Sequence, residues 1–304
     1  MNKSIRYIWK NKSSYLMFIP GFLILLVFAY YPMYGITLAF KEYNPTYGIM
    51  GSEWIGFDNF YYALTSYGFW EMVRNTLVLG LYNIVFAFPV SIILALQFNE
   101  LRNPHFKKLV QTISYLPYFI SWAMISGMMW TLLSNDYGLI NNLLKTLGLE
   151  PIFWYAEPKY WRAILTIAGI WKTTGWGTIT FLASIASIDP GLYEAAKIDG
   201  ANRWKQTIHV TIPGMMPAIC ITFILTVSNI IRDDFDKIYA LVGQNSLLEE
   251  TTEVLGTWSY RAMLNSFKNY GYVTAVTTLQ SVLGMILLIV ANSLVKKTGD
   301  QGLF

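Results

Sequence analysis

The feature that most constrains this chain is a series of apolar runs, each long enough to cross a lipid bilayer. A spanning helix needs about 20 mostly apolar residues to cover roughly 30 Å of hydrocarbon. Backbone groups in lipid must pair within the protein, so only helices and closed barrels can span. The runs are too long and too uniformly apolar for barrel strands, and a composition of 54% hydrophobic and 13% charged residues agrees. The sequence therefore predicts an all-α, multispanning membrane protein.

Six runs qualify as spans, and the predicted domain organisation follows from them. The spans are expected at about 14–39, 74–98, 108–133, 162–187, 212–232 and 272–295, within a transmembrane domain at 14–295. A basic N-terminus at 1–13 and a tail at 296–304 flank this domain. No small-residue cleavage site follows the first run, so we expect an uncleaved span there and not a signal peptide.

Basic residues cluster at one set of span ends, which predicts the orientation. Short cytoplasmic loops carry an excess of Lys and Arg. These residues lie at the N-terminus, between the second and third spans and in the tail: Lys3, Arg6, Lys10, Lys12, Arg102, Lys107, Lys108, Lys296 and Lys297. Both termini and the loop at 188–213 are then cytoplasmic. The segments at about 40–73, 134–161 and 233–271 lie outside.

The sequence lacks the motifs that catalysis would require. It contains no Walker A pattern, no G-x-S-x-G and no H-E-x-x-H, and its two histidines are His105 and His209. The single cysteine, Cys220, lies in an apolar run and excludes an intramolecular disulfide. We therefore expect no catalytic residue, metal site or cofactor in this chain.

One polar stretch, "LYEAAKIDGANRWKQTIHVTIP" at 192–213, separates two apolar segments. Asp189 is a suitable N-cap and Pro190 suits a first helical position. Gly200 can take the left-handed conformation that ends a helix. A second helix then begins, and Pro213 opens the fifth span. Taken by itself, this pattern fits an amphipathic interfacial helix as well as a docking element.

The spacing of this stretch resembles that of integral-membrane subunits of binding-protein-dependent ABC importers. Their cytoplasmic loop carries E-A-A, three residues, G, nine residues and I-x-L-P. This chain has Glu194, Ala195 and Ala196, then Gly200, and ends with "VTIP" at 210–213, so Val and Ile replace Ile and Leu. The segment "WIGFDNF" at 54–60 is similar to the sugar-importing branch. The second half of the chain is similar to permeases of the oligosaccharide and aldouronate type.

The resemblance implies a type I importer permease with six transmembrane helices and a cytoplasmic coupling helix, in the plasma membrane of a bacterium. It implies a second permease subunit, usually different from the first, and two cytoplasmic ATPase subunits that use ATP and Mg. An extracytoplasmic binding protein would deliver an oligosaccharide. Glu194 would be the charged anchor on the ATPase, and Ala195 and Ala196 the close-packing surface. Gly200 would set the angle between the two helices, and Pro213 the start of the fifth span.

Two polar stripes are candidates for the substrate path. Gly169, Thr173, Trp176 and Thr180 recur at helical spacing in the fourth span, with Lys172 beside them, and Thr222, Thr226, Asn229 and Asp233 recur in the fifth. Intramembrane charges usually face a bundle interior, and a single Lys would suit an acidic sugar. Thr and Gly are also ordinary helix-packing residues. Lys172 could instead pair with the other permease subunit or extend its ammonium to the interface.

Other kinds of membrane protein fit less well. A secondary transporter would need coupling-ion carboxylates at mid-membrane or an inverted repeat, and a channel would need a filter segment. Neither is visible in the sequence. A permease for another polar solute, such as a peptide or amino acid, remains an alternative.

Overall fold

A computed structural model describes residues 7, 9–232, 234–265, 270–297 and 302–303. Lys3, Arg6 and Asp233 lie outside the described residues, so the predictions that involve them stay predictions. Within the described part the chain is almost entirely helical, and its extended structure is a two-residue antiparallel pair of strands, β1 (Lys41–Glu42) and β2 (Glu53–Trp54).

The α-helices follow one another along the chain with short 3₁₀ and π turns between several of them. In chain order they are α1 (Lys12–Leu25), α2 (Gly48–Gly51), α3 (Asp58–Thr65), α4 (Phe69–Tyr82), α5 (Phe88–Glu100), α6 (Pro104–Tyr115), α7 (Trp122–Leu133), α8 (Leu139–Thr146), α9 (Trp161–Ala186), α10 (Pro190–Ile198), α11 (Arg203–Gln206), α12 (Ile212–Ser228), α13 (Phe235–Val242), α14 (Glu249–Thr252), α15 (Leu255–Asn265) and α16 (Tyr270–Lys297).

Among the described residues, four helical stretches are long and apolar enough to cross a membrane: Lys12–Phe40, Phe69–Glu100, Arg203–Ser228 and Tyr270–Lys297. They overlap the predicted first, second, fifth and sixth spans. The fifth begins before the predicted 212 and ends before the predicted 232. The predicted fourth span corresponds to α9, which is 26 residues long but is not among these four. Its middle is polar, with Lys172, Thr173 and Thr174 in sequence.

The predicted third span, 108–133, is not one continuous helix. Helix α6 passes into a 3₁₀ turn at Leu116–Phe119, and α7 starts at Trp122 with its axis bent by 99°. Pro117 lacks an N–H, and Ile120 and Ser121 are extended. The Ser121 hydroxyl then caps α7 by accepting from the Met124 N–H at 3.3 Å. Counting this bent pair as one span gives five candidate spans in the described chain.

The chain packs into two compact units, of which the first comprises Met1–Ser66 and Arg261–Thr278. The "WIGFDNF" segment forms hydrogen bonds with the backbone at the end of the first helical stretch. The Asn59 amide donates to the carbonyl oxygens of Ala39 and Lys41 at 3.1 and 3.0 Å. The ammonium of buried Lys41 donates to the Ile49 carbonyl at 2.7 Å and lies 5.0 Å from the Trp54 ring. These contacts give the motif a structural role.

The second unit comprises Tyr67–Tyr260 and Leu279–Phe304, and helix α9 is central to its packing. One apolar cluster lies along the first turns of α9, with Trp161, Leu165 and Ala168 against Ile125 of α7. Another lies near its end, where Phe181 and Ile185 meet Ala95 and Met215. Helix α9 thus packs into both apolar clusters, and this packing fixes the positions of the α9 residues between the two clusters.

Polar contacts fix the segment 249–255 onto helices α4 and α9. Asn75 is 1% exposed, and its amide donates to the carbonyl oxygens of Glu250 and Glu253, each at 3.0 Å. Arg162 donates from Nη2 to the Asn75 side-chain oxygen at 2.8 Å. A buried amide that is satisfied on both sides ties together segments that are far apart in the chain.

Helices α6 and α9 approach backbone to backbone at Gly175. A Cβ at this position would lie 2.0 Å from the Ser114 carbonyl oxygen. We expect Gly175→Ala to lower stability by at least about 1–3 kcal/mol, the range for overpacked sites. Gly127→Ala, in α7 with nothing within 4 Å, is the matched control. The melting temperature of the purified protein measures both, and equal values for the two variants would contradict the close approach.

Candidate functional site

The loop at 188–213 forms the helix that the sequence predicts. The Asp189 carboxylate accepts from the Gly191 N–H at 2.9 Å, and Pro190 opens helix α10. At the other end Gly200 has φ +75°. The N–H of Ala201 donates to the Ala196 carbonyl at 2.8 Å, and the N–H of Gly200 donates to Lys197 at 3.1 Å. This pair of bonds is a Schellman motif, which satisfies the last carbonyls of a helix.

The chain resumes helical structure two residues after Gly200. The Asn202 side chain caps α11 by accepting from the Lys205 N–H at 2.9 Å. A π turn at Thr207–Thr211 then leads into α12, where Pro213 is the second residue. Pro213 therefore lies at the start of α12, as predicted, but the membrane-length helix itself already begins at Arg203. The π turn is compatible with Pro213, because this residue has no N–H to donate to the carbonyl four residues earlier, as a regular α-helix requires.

Three contacts hold the loop at 188–213 in place, and one of them comes from α10 itself. Tyr193 Oη and Thr211 Oγ1 share a partly buried hydrogen bond of 3.0 Å. A Cβ on Gly214 would lie 2.6 Å from the Ile188 side chain. Arg203 pairs with Glu100, the last residue of α5, at 2.8 Å. The ion pair is exposed and contributes about 0–1 kcal/mol, so the tyrosine bond and the glycine contact carry most of the attachment.

The remaining surface of α10 lies open. Glu194 and Ala195 are exposed, and Ala196 is half-buried. The described residues offer Glu194 no ion-pair partner. Ile198 is 87% exposed and Trp204 is 72% exposed. Large apolar side chains this exposed, on a loop that also carries an exposed carboxylate, form a surface that a protein partner can cover.

The ammonium of Lys172 lies against the bend between α6 and α7. The ammonium donates to the carbonyl oxygens of Tyr118 at 2.8 Å, of Pro117 at 3.5 Å, and of Ile120. It lies 5.6 Å from the Tyr118 ring centre and 5.3 Å from that of Trp122. Lys172 is 8% exposed. Its charge is thus met by backbone dipoles and ring faces.

Trp176 lies one turn further along α9 and meets the same bend. Its ring stacks on Tyr118 with centroids 4.6 Å apart and planes at 6°, and Phe119 contacts it edge-on at 5.5 Å. Trp176 is 40% exposed. The structure therefore brings Lys172 and Trp176 together through Tyr118, a residue that the sequence analysis did not single out.

The polar residues predicted in the fifth span bond within their own helix. Thr222 donates to the Ala218 carbonyl at 2.6 Å, and Thr226 donates to Thr222 at 2.8 Å. The Asn229 amide donates to Leu225 at 2.8 Å. Thr222 and Thr226 are half-buried and Asn229 is exposed. Their oxygens keep free acceptor capacity.

Tyr193 and Tyr118 are residues of the candidate site that the sequence did not point to. Tyr193 lies just past the end of the predicted fourth span, where tyrosine is common for interfacial reasons alone, and Tyr118 lies within the predicted third span. Their partners, Thr211 and Trp176, lie 18 and 58 positions away in the chain, and no local spacing connects them.

Comparison with known proteins now identifies the family. Residues 87–299 match the family described as "Binding-protein-dependent transport system inner membrane component". The chain belongs to this family. It is an inner-membrane permease and not an ATPase, and a permease component requires no cofactor of its own.

Several relatives extend the similarity over nearly the whole chain. The chain is 40% identical over 295 residues to the polygalacturonan/rhamnogalacturonan transport system permease protein YteP of Bacillus subtilis, covering 97% of this chain and 91% of that one. It is 30% identical over 282 residues to the trehalose/maltose transport system permease protein MalF of Thermococcus litoralis, covering 92% of each.

A solved structure has the same fold. A chain in the crystal structure of a bacterial alginate ABC transporter, in complex with a periplasmic protein bound to an alginate pentasaccharide, superposes with a TM-score of 0.88. The two chains are 34% identical, and the match covers 98% of this chain and 99% of that one.

The left-handed turn at Gly200 predicts a conformation-specific response to substitution. Nothing lies within 4 Å of a Cβ built there, so bulk is tolerated and only the positive φ disfavours a side chain. Gly200→Val is expected to lose about 1–2 kcal/mol of local stability and most transport activity. Gly200→Asn is expected to retain both, because Asn tolerates this conformation. Uptake per inserted permease measures the difference, and equal loss in both variants would contradict the conformational explanation.

Proposed function

We propose that this permease forms part of the pore of an ATP-driven importer for oligosaccharides, with acidic oligosaccharides as the preferred class. The observation that carries the proposal is the open face of helix α10. Glu194 and Ile198 are exposed on α10, Trp204 is exposed on the following helix α11, and the Tyr193–Thr211 bond holds α10 in place. The sugar class rests on the relatives, whose names specify polygalacturonan and alginate as well as trehalose and maltose.

In the proposed mechanism a cytoplasmic ATPase subunit covers α10 and moves it. Glu194 would anchor the partner, and Ala195 and Ala196 would allow its backbone to approach closely. The Schellman turn at Gly200 would set the angle between α10 and the following helix, and Pro213 would fix the start of α12. The Tyr193–Thr211 bond supports this assignment, since it links α10 directly to the membrane-length helix.

The substrate path is proposed along α9 and α12. Trp176 offers an exposed aromatic face of the kind on which sugar rings stack, and Thr222, Thr226 and Asn229 offer acceptor oxygens for hydroxyl groups. Lys172 lies beside Trp176 and shapes the same region.

In the proposed assembly this permease has six spans, with both termini in the cytoplasm. Helix α9, the predicted fourth span, completes this count, and its polar middle would be shielded by the bundle and by a second, different permease subunit. Two ATPase subunits and an extracytoplasmic binding protein complete the complex, in a bacterial plasma membrane. The transmembrane domain would occupy 14–295, with the coupling loop at 188–213, between the basic segment at 1–13 and the tail at 296–304.

Reversal of the anchor charge tests the coupling role. In Glu194→Arg the protein is expected to insert normally, while uptake falls by at least about tenfold, because losing a partnered charge at an interface costs about 2–5 kcal/mol. Glu150→Arg is the matched control, since Glu150 is an exposed carboxylate outside the coupling loop. The measurements are ATPase copurification and uptake. Normal values for both in Glu194→Arg would remove the role.

Uptake by a strain lacking this permease tests the substrate class. We expect loss of uptake for short oligogalacturonates or other uronate oligomers, restored by the intact gene. A panel of neutral gluco-oligosaccharides of the same length is the comparison. Loss of neutral oligomers alone would move the assignment to neutral sugars, and loss of neither, with a peptide or amino acid affected, would overturn the oligosaccharide assignment.

A further inference from the structure

The bend between α6 and α7 leaves backbone carbonyls that regular helix bonding does not reach. The carbonyl of Pro117 accepts from the Ile120 N–H at 3.2 Å. Those of Tyr118 and Ile120 point to the ammonium of Lys172. A helix end carries partial negative charge on such carbonyls, so a cation is favoured there. An unsatisfied carbonyl inside a membrane protein is costly.

The ammonium of Lys172 has three protons and meets three carbonyl oxygens. The rings of Tyr118 and Trp122 lie close to it, and none of the described carboxylates pairs with it. A carboxylate on a passing sugar would have to displace these backbone acceptors. The donors of this side chain are therefore already used by the protein.

Tyr118 connects this arrangement to the proposed substrate path. Its carbonyl is held by Lys172, and its ring stacks flat on Trp176. Lys172 and Trp176 are one turn apart on the same helix. The hydrogen bond from Lys172 to the Tyr118 carbonyl therefore holds the Tyr118 ring next to Trp176. The close approach of Gly175 to Ser114 holds α9 against α6 just before the bend. The paired rings are 39% and 40% exposed.

We propose that Lys172 is a positioning residue of the substrate path. It holds the bend and orients the Tyr118–Trp176 pair, and it does not read the charge of the sugar. This inference rests on the proposed function, and it separates the shape of the path from the preference for acidic substrates.

The first experiment compares a neutral and an acidic oligosaccharide of equal length in the complete importer. Lys172→Met is expected to lower uptake per inserted permease by about tenfold for both sugars, leaving their ratio within about twofold of the wild type. Lys172→Arg, which keeps donors and charge, is expected to recover part of the uptake of both alike. Lys145→Met, at an exposed position on α8, is expected to change neither.

Selective loss of the acidic sugar in Lys172→Met would overturn the proposal, because it would make the ammonium a substrate contact. Unchanged uptake of both sugars would overturn it as well. If Lys172→Met does not accumulate in the membrane, the same ratio measured in Lys172→Gln, which keeps two N–H donors and removes the charge, decides between equal and selective loss. Failure of the wild-type importer to take up either sugar would instead count against the proposed function.

A second experiment tests whether Lys172 acts through Tyr118. Tyr118→Ala removes the ring and leaves the carbonyl in place. We expect Lys172→Met and Lys172→Met/Tyr118→Ala to be equally impaired, because both lose the oriented ring pair. If the fold-losses of uptake in Lys172→Met and Tyr118→Ala instead multiply in the double variant, the two residues act independently, which would overturn the proposal. The same cycle on the melting temperature of the purified importer needs no sugar, so it decides even where only one sugar, or none, is transported.

Discussion

The structure depends on the requirement that backbone carbonyls released from helical bonding find a donor inside the protein. A carbonyl that lipid or packed side chains shield from water has to find that donor within the chain. Lys172 supplies it at the bend between α6 and α7. Asn59 supplies it where the first helical stretch ends. Asn75 supplies it for the segment 249–255. In each case one side chain with several protons serves several carbonyls, and irregular backbone becomes a fixed part of the fold.

The loop at 188–213, which we propose as the docking site of an ATPase subunit, follows a different rule. Its own polar groups are satisfied locally by Asp189, Asn202 and the turn at Gly200. Its outer face carries Ile198 and Trp204 open to solvent. Internal satisfaction with external apolar exposure distinguishes a preformed docking element from a flexible loop. A partner that covers it would pay little ordering entropy, since the shape exists before contact.

The sequence was informative where local rules decide the outcome. The cap at Asp189, the left-handed Gly200 and the long helix around 162–187 follow from residue chemistry and periodicity, and the structure agrees at each. The bend near 117–121 was missed because hydropathy averages over it, and a single proline in an apolar run predicts a kink only weakly. The partner of Lys172 was also out of reach, since the carbonyls it binds lie more than 50 positions away.

The two motifs of the sequence differ in what they indicate. The "EAA" spacing pointed to the family that the comparisons establish, while "WIGFDNF" was associated with sugar import and turns out to brace the chain through Asn59 and Trp54. A motif can thus mark a branch of a family for reasons of folding alone. Substrate preference is then better sought in exposed side chains, such as Trp176, than in the motif.

The continuity of the helix from Arg203 to Ser228 has a mechanical consequence. At about 1.5 Å per residue, its 26 residues form a rod roughly 39 Å long. A tilt of about 5° at the Arg203 end would displace the Ser228 end by about 3 Å. This displacement is about the length of one hydrogen bond between donor and acceptor atoms. The π turn near Pro213 leaves the helix continuous, so in the proposed importer a small rocking motion at the Arg203 end would be transmitted to the Ser228 end.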